Sequence, residues 1–427
     1  MSYQEFLASK RRVAPSIGPK ITAGDVHPFL HDWQREVVAW SVAKGRAALF
    51  EDCGLGKSVQ QLEWARLSAD TSLILAPLTV ARQTVREAHK IDMDVRYVRH
   101  GSEVTGPGVW ITNYEMAEHF DPGMFGALVA DESSLLKNVD GKTRQMLTKR
   151  FAPVPARLAC TATPAPNDVA ELTTHAEFLG LMSRAEMLAA YFVHDEDGWR
   201  LKGHGAEPMY AWMATWAVAL RRPSDMGYSD DGYVLPPLRI VPEVVHADID
   251  SGEQLFATDL GGVGGRAAVR RQTLDARVAR AVRLAKSSDE QWIVWCGLND
   301  EADAVADAIP DSVNVPGSWT PDAKAKALEA FQDGTVRVLV SKPSICGHGM
   351  NFQNCASMAF VGLSDSWESY YQAIRRCYRF GQTRPVRAHI IVSALEQQIV
   401  ENVRRKEEEA ARMTEALVRH VTVGRAA

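Results

Sequence analysis

Eight residues, Glu51-Asp52-Cys53-Gly54-Leu55-Gly56-Lys57-Ser58, have the composition of a phosphate cradle. Gly54 and Gly56 let backbone amides close on phosphate oxygens at the start of a helix, where Lys57 can pair with the β and γ phosphates and Ser58 can hold Mg2+. The strict GxxxxGK[ST] pattern fails at its first glycine, which is replaced by Glu51. Further on, the apolar run 128–130 ends in Asp131-Glu132, about 75 residues beyond Lys57. An Asp at a strand end can anchor a Mg2+ shell while the next Glu orients an attacking water. Thr161 and Thr163, in the TATP of residues 161–164, could sense a bound nucleotide and relay its state; the same four residues also suit an ordinary strand-to-turn exit.

A third group lies far along the chain, where residues 372–382 read QAIRRCYRFGQ. Gln372, Arg376 and Arg379 stand at i, i+4 and i+7, which predicts one helix face with the two guanidiniums a turn apart. Such a pair can clamp a γ phosphate and stabilise transition-state charge, an effect worth about 10³ to 10⁵ in rate in other NTPases. Arg375 falls off that face and is left to meet DNA or an acid. Taken alone, the run also fits a solvated basic helix.

These residues need a scaffold that brings strand ends together, and the hydrophobic pattern supplies one. Short β-branched runs at 47–50, 72–76, 95–98, 109–112, 127–130 and 157–160 alternate with helical patterns, as in a parallel α/β sheet buried on both faces. From 168 to about 219, Leu, Phe, Met and Trp recur at helical spacing with little strand signal, and 223–237 is turn-rich. A second strand-helix series follows, with strands at 292–296, 312–315, 336–340, 359–363 and 387–392. Residues 396–419 mix both charge signs with Leu, Ile and Val at helical spacing, predicting a surface helix docked on one side. The expected organisation is an α/β lobe at 1–167, a helical insertion and linker at 168–240, a second α/β lobe at 241–394 and a C-terminal helix at 395–427.

Composition narrows the class without choosing a function. The chain has 427 residues, 46% hydrophobic, enough for two or three domains with real cores. Its longest apolar stretches, such as 209–220, fall short of the ~20 residues that span a bilayer. The polar amino terminus lacks a secretory core, so the expected compartment is cytoplasm, with no membrane association. Six cysteines (53, 160, 296, 346, 355 and 377) form no CxxC pair, which argues for reduced, mostly buried thiols rather than disulfides or structural zinc. The formal charge of −5 excludes a uniformly basic protein but not a local basic groove.

In this order the motifs resemble helicase superfamily two, and within it the Swi/Snf-type DNA-translocating ATPases. Trp33-Gln34 resembles that family's glutamine motif, which reads adenine. Residues 76–79 (APLT) and 112–115 (TNYE) resemble first-lobe segments that track a nucleic-acid strand. Residues 131–138 (DESSLLKN) resemble the DEAH-type box with its trailing Lys-Asn, and Arg221-Arg222 followed by Leu235-Pro236-Pro237 resembles the pair that flanks the family's linker. Residues 349–353 (GMNFQ) resemble the Gly-Leu-Asn-Leu motif, and 372–382 match the final arginine motif. The resemblance covers about residues 28 to 400. Ser133-Ser134 replaces the usual Ala-His, residues 367–369 (WES) stand where Trp-Asn-Pro is usual, and Phe380 replaces an aliphatic residue. With no bromodomain, chromodomain, zinc finger or nuclease motif, the chain resembles the compact, single-motor versions of bacterial and phage genomes.

The resemblance implies two RecA-like lobes with ATP and Mg2+ in the cleft. Gln34, Gly54, Gly56, Lys57, Ser58 and Gln372 would bind nucleotide, Ser58 and Asp131 the metal, and Arg376 and Arg379 would reach across from the second lobe. Double-stranded DNA, held mainly at phosphates, would lie near Thr79, Asn113 and Gly349, helped by Arg82 and Lys342, two residues that equally suit solvated surface charges. Two other readings share these motifs: a strand-separating DNA or RNA helicase in replication or repair, and an ATP-gated DNA clamp that recruits a replication, repair or nuclease partner. Direction of movement, pathway and oligomeric state leave no mark in the sequence.

Overall fold

A computed structural model describes residues 12–137, 141–196, 198–246, 272–346, 351–362, 366–393 and 397–420. The chain divides into two compact units, Met1–Asp231 with Glu409–Ala427, and Gly232–Glu408. Among the described residues no helix is long and apolar enough to cross a membrane.

The first unit is built on a seven-stranded sheet in the order β3-β4-β2-β5-β6-β1-β9, all parallel. Its strands are β1 (Arg46–Glu51), β2 (Thr71–Ala76), β3 (Val95–Tyr97), β4 (Gly108–Asn113), β5 (Ala127–Asp131), β6 (Ala156–Cys160) and β9 (Ala217–Leu220). The interior strands are mostly apolar because both faces are buried, by helices α1 (Asp32–Lys44), α2 (Lys57–Ser68), α3 (Leu78–Ala88) and α4 (Lys142–Gln145) among others. Strands β5, β6 and β1 are neighbours, and their register sets Cys160 opposite both Asp131 and Leu49. The carboxyl ends of these three strands therefore deliver the phosphate loop, the Asp131-Glu132 pair and Thr161 to one edge, where open α/β sheets bind ligands.

Residues 168 to 219 are less uniformly helical than their spacing predicts. Helices α5 (Leu172–Phe178), α6 (Arg184–Tyr191) and α7 (Ala206–Met213) are present, but a hairpin of β7 (Phe192–Asp195) and β8 (Gly198–Leu201) separates the last two. Strand β9 then joins the main sheet beside β1, pairing Ala48 with Ala217 and Glu51 with Leu220. A four-residue apolar strand is too short to display its own period, so pairing decides its conformation.

An aromatic series fills the core under β1. Phe50 meets Trp216 at 6.3 Å and His175 at 5.1 Å, Trp216 meets Trp212 at 5.4 Å, and Trp212 stacks on Tyr191 at 6.2 Å. His175 Nε2 bonds the Pro164 carbonyl at 2.9 Å, and burial pushes the imidazole down to about 4. The folded state thus refuses a proton that the unfolded chain accepts near pH 6.5, so this share of stability is complete above that pH and is lost as pH falls towards 4. At about pH 5 the loss is roughly 2 kcal/mol. Urea unfolding at neutral and at acidic pH should show His175→Gln losing that much less stability than the parent on acidification; equal losses would discount the buried imidazole.

The second unit holds a six-stranded parallel sheet in the order β10-β15-β14-β11-β13-β12. Its strands are β10 (Leu238–Val245), β11 (Trp292–Cys296), β12 (Ser312–Val315), β13 (Val338–Ser341), β14 (Ser357–Val361) and β15 (Val386–Ser393). β10 begins inside the stretch expected to be linker. It is an edge strand, which lets it carry Pro242 and alternate exposed with half-buried positions. The helices are α8 (Leu274–Ala285), α9 (Asn299–Ala308), α10 (Pro321–Gln332), α11 (Pro343–Cys346), α12 (Trp367–Ile374) and α13 (Gln397–Val418). A fully buried pair, Arg277 to Glu301 at 2.6 Å, ties α8 to α9. Glu301 also accepts from the Gly297 and Leu298 amides, while Arg277 donates to the Val361 carbonyl, so the burial of both charges is compensated. The last turns of α13 place Met413 and Leu417 in the core of the first unit.

Candidate nucleotide site and arginine segment

The glycine loop of residues 51–58, the candidate phosphate cradle, is held from both sides. Gly54 and Gly56 have φ of 90° and 80°, and a Cβ on Gly56 would sit 2.4 Å from Gln34 Nε2. Glycine at 56 is thus favoured by its left-handed conformation, and a side chain there would push the Gln34 amide aside. Gln34, 4% exposed on α1, donates from Nε2 to the Leu55 carbonyl at 2.8 Å and accepts the His31 amide at 2.9 Å. Lys57, the first residue of α2, donates to the carbonyls of Glu51 at 2.6 Å and Asp52 at 3.0 Å. Ser58 follows it on the first turn of the helix.

Two further glutamines of α2 complete the site, and neither was singled out from the sequence. Gln60 Nε2 bridges the Glu51 carboxylate at 2.7 Å and the Leu55 carbonyl at 3.1 Å. Gln61 Nε2 donates to Asp131 Oδ2 at 3.0 Å. Their positions three and four residues after Lys57 were the available signal, since those positions share a face one turn into the helix. Burial pushes Glu51 up to about 7, against the pull of Lys57 and the Gln60 hydrogen bond. Burial, with the charge of Glu132 added, pushes Asp131 up to about 6, against the Gln61 bond and Lys57.

The carboxylate pair is itself conformationally set. Glu132 has φ of 52°, a left-handed conformation rare outside glycine, and its amide donates to Asp131 Oδ1 at 3.0 Å. Tyr114 donates its hydroxyl to the Asp131 carbonyl at 2.6 Å. Burial pushes that phenol well up, with the charges of Asp131 and Glu132 adding, so it remains a donor. Ser133 and Ser134 are buried directly behind the pair. Thr161 is buried after β6, its amide on the Leu49 carbonyl, and its Oγ1 accepts the Thr163 amide at 3.1 Å.

The residues expected to face nucleic acid follow neighbouring strand ends of this unit. Thr79 is the second residue of α3, immediately after β2, and exposed Arg82 follows one turn on. Asn113 ends β4, with Oδ1 accepting from Tyr97 and Nδ2 donating to Glu115. Arg221 pairs with Asp225 at 3.0 Å and Arg222 with Asp230 at 3.6 Å.

In the second unit the single helix face expected for Gln372, Arg376 and Arg379 is not formed. Helix α12 ends at Ile374, so Gln372 is helical while Arg376 and Arg379 lie in the turns that follow. The reason is capture of the backbone by another segment. The Arg376 carbonyl accepts the Phe352 amide at 2.8 Å, the Phe380 carbonyl accepts Gln353 Nε2 at 2.6 Å, and Gly381 turns with φ of 88°. Gln382 Nε2 donates to the carbonyls of Gln353, Cys355 and Cys377, so the closing glutamine clamps residues 351–355 to the arginine segment. Arg376 is buried, with Nε on the Gln372 carbonyl at 3.1 Å, and Arg379 is half-buried. Arg375, expected to meet DNA or an acid, has its guanidinium 4.9 Å from the Tyr371 ring and 5.2 Å from the Tyr378 ring, and its charge opposes the burial that pushes the Glu407 carboxyl up. Lys342 directly follows β13, and Gly349 lies outside the described residues.

The family described as helicase conserved C-terminal domain matches residues 275–381, which include α8 through the arginine segment. A fly relative, the SWI/SNF-related matrix-associated actin-dependent regulator of chromatin subfamily A-like protein 1 of Drosophila melanogaster, is 25% identical over 91% of this chain. The chain thus carries a match to the helicase C-terminal domain and is similar along most of its length to a SWI/SNF-related protein. The chain spans 56% of the fly protein's length. It is also 23% identical, over 82% of its length and 89% of the other's, to putative protein p41 of Acyrthosiphon pisum secondary endosymbiont phage 1. A solved structure titled Sulfolobus solfataricus SWI2/SNF2 ATPase core in complex with dsDNA is 17% identical, with a TM-score of 0.46 over 94% of this chain and 99% of that one.

Proposed function

We propose that this chain is a Swi/Snf-type motor that hydrolyses ATP and converts the hydrolysis into movement along double-stranded DNA or remodelling of protein-DNA complexes. The observation that carries the reading is the single edge of the first sheet on which the glycine loop, Lys57, Gln34 and the Asp131-Glu132 pair meet. In it, Gln34 reads the adenine side, and Gly54, Gly56 and Lys57 take the phosphates, Lys57 exchanging its loop carbonyls for phosphate oxygens. Among the described residues no three His, Cys, Asp or Glu side chains converge as a metal cage. That suits Mg2+, which takes few protein ligands and keeps water and phosphate oxygens; Ser58 and Asp131 would hold it, and its charge offsets that of the phosphates. Glu132 orients the attacking water, and Arg376 and Arg379, with Gln372 on the nucleotide, serve the charge that develops on the transferring phosphoryl group. Thr161 and Thr163 relay the nucleotide state. Thr79, Arg82 and Asn113 in the first unit, and Lys342 and Gly349 in the second, contact DNA at its backbone, so binding should weaken steeply with salt.

The test is steady-state ATP hydrolysis by the parent and by Glu132→Gln, with no nucleic acid, duplex DNA, single-stranded DNA and RNA in parallel. Stimulation by duplex DNA, with turnover lowered about 10²-fold or more in the variant, is the expected result. Preference for single strands or RNA would replace the duplex motor with a strand-separating helicase, and no stimulated turnover would replace it with an ATP-gated clamp.

A further inference from the structure

The two polar atoms of the peptide group between Asp131 and Glu132 are both held. Its N–H donates to Asp131 Oδ1 at 3.0 Å, and its carbonyl oxygen accepts the Tyr114 hydroxyl at 2.6 Å. The plane of that peptide helps set φ of Glu132, which stands at 52° in a left-handed region that a non-glycine residue occupies only where its surroundings impose it. Tyr114 is part of those surroundings, and it comes from an unexpected place. It follows β4, whereas Asp131 ends β5, and the sheet order β4-β2-β5 sets a whole strand between them. The buried tyrosine therefore reaches past the end of β2, the strand that leads into Thr79. Its chain neighbour is Asn113, whose amide is held by Tyr97 on one side and Glu115 on the other.

We propose that Tyr114 is the positioning residue through which DNA bound at the end of β4 sets the direction of the Glu132 carboxylate. The proposal rests on the motor reading above. A phosphate seated at Asn113 moves the backbone on which Tyr114 is carried, the hydroxyl moves the Asp131 carbonyl, and the peptide plane turns the following side chain towards or away from the attacking water. Tyr114 is buried and acts through the Asp131 carbonyl, and a misplacement of its hydrogen bond by a fraction of an ångström is enough to change turnover severalfold.

The experiment compares the full-length parent and Tyr114→Phe for basal turnover, turnover with saturating duplex DNA, the DNA concentration that gives half stimulation, and affinity for a fluorescent ATP analogue. The expected result is a fall of about tenfold in the ratio of stimulated to basal turnover, with half-stimulating DNA concentration and nucleotide affinity within about twofold of the parent. A ratio equal to the parent's overturns the proposal, whether both rates are intact or both fall together. Should the phenylalanine variant fail to fold, 3-fluorotyrosine installed at 114 keeps the shape and alters the donor, and an unchanged stimulation ratio then overturns it. A parent enzyme that no nucleic acid stimulates rejects the motor reading itself, an outcome visible before any variant is measured.

Discussion

Lys57→Ala should abolish nucleotide binding at micromolar protein and nucleotide. The ammonium is held against the Glu51 and Asp52 carbonyls, on the loop that Gly54 and Gly56 shape for phosphate. Charge-assisted hydrogen bonds to phosphate are the strong class, and loss of about 3 kcal/mol corresponds to an affinity lowered by about 100-fold. The substitution also strips two loop carbonyls of their donor, which loosens the cradle as well as discharging it. Titration with a fluorescent ATP analogue measures the effect directly, with circular dichroism as the control for folding. Affinity equal to the parent's would show that the glycine loop is not the phosphate site.

Arg379→Ala has the opposite signature. Nucleotide affinity should stay within about threefold while turnover falls by about 10³ or more, because an arginine that meets only the developing charge contributes little to the ground state. Single-turnover hydrolysis with enzyme in excess separates this chemical defect from slow product release. Hydrolysis at the parental rate would exclude Arg379 from the transition state. Together the two variants separate nucleotide binding, tested at Lys57, from chemistry, tested at Arg379.

Much of this was legible in the sequence because it depends on local rules. Strand positions in both sheets follow from short apolar runs bounded by Gly, Pro or polar residues, and the phosphate loop and Asp131-Glu132 announce themselves at strand ends. What was not legible depends on partners distant in the chain. Ala217–Leu220 became a strand only because β1 was free to pair with it. Gln60 and Gln61 are ordinary helix residues until Glu51 and Asp131 are placed beside them. The arginine segment misled most plainly: i, i+4, i+7 spacing is a true helical signal, yet hydrogen bonds from Phe352, Gln353 and Gln382 captured its carbonyls and ended the helix at Ile374. Arg277 and Glu301, two charges in a charge-rich chain, gave no sign that they were fully buried.

Met413 and Leu417 belong to the core of a unit whose other strands end at Leu220. About 190 residues separate these parts of one core, and a ribosome adding 5–20 residues per second needs roughly 10 to 40 s to cover that distance. During that interval the nascent first unit carries uncovered apolar surface, and the second unit can complete its own sheet before the first is sealed. Synthesis and folding are thus out of step by design of the connectivity: the part of the molecule made first is the part finished last.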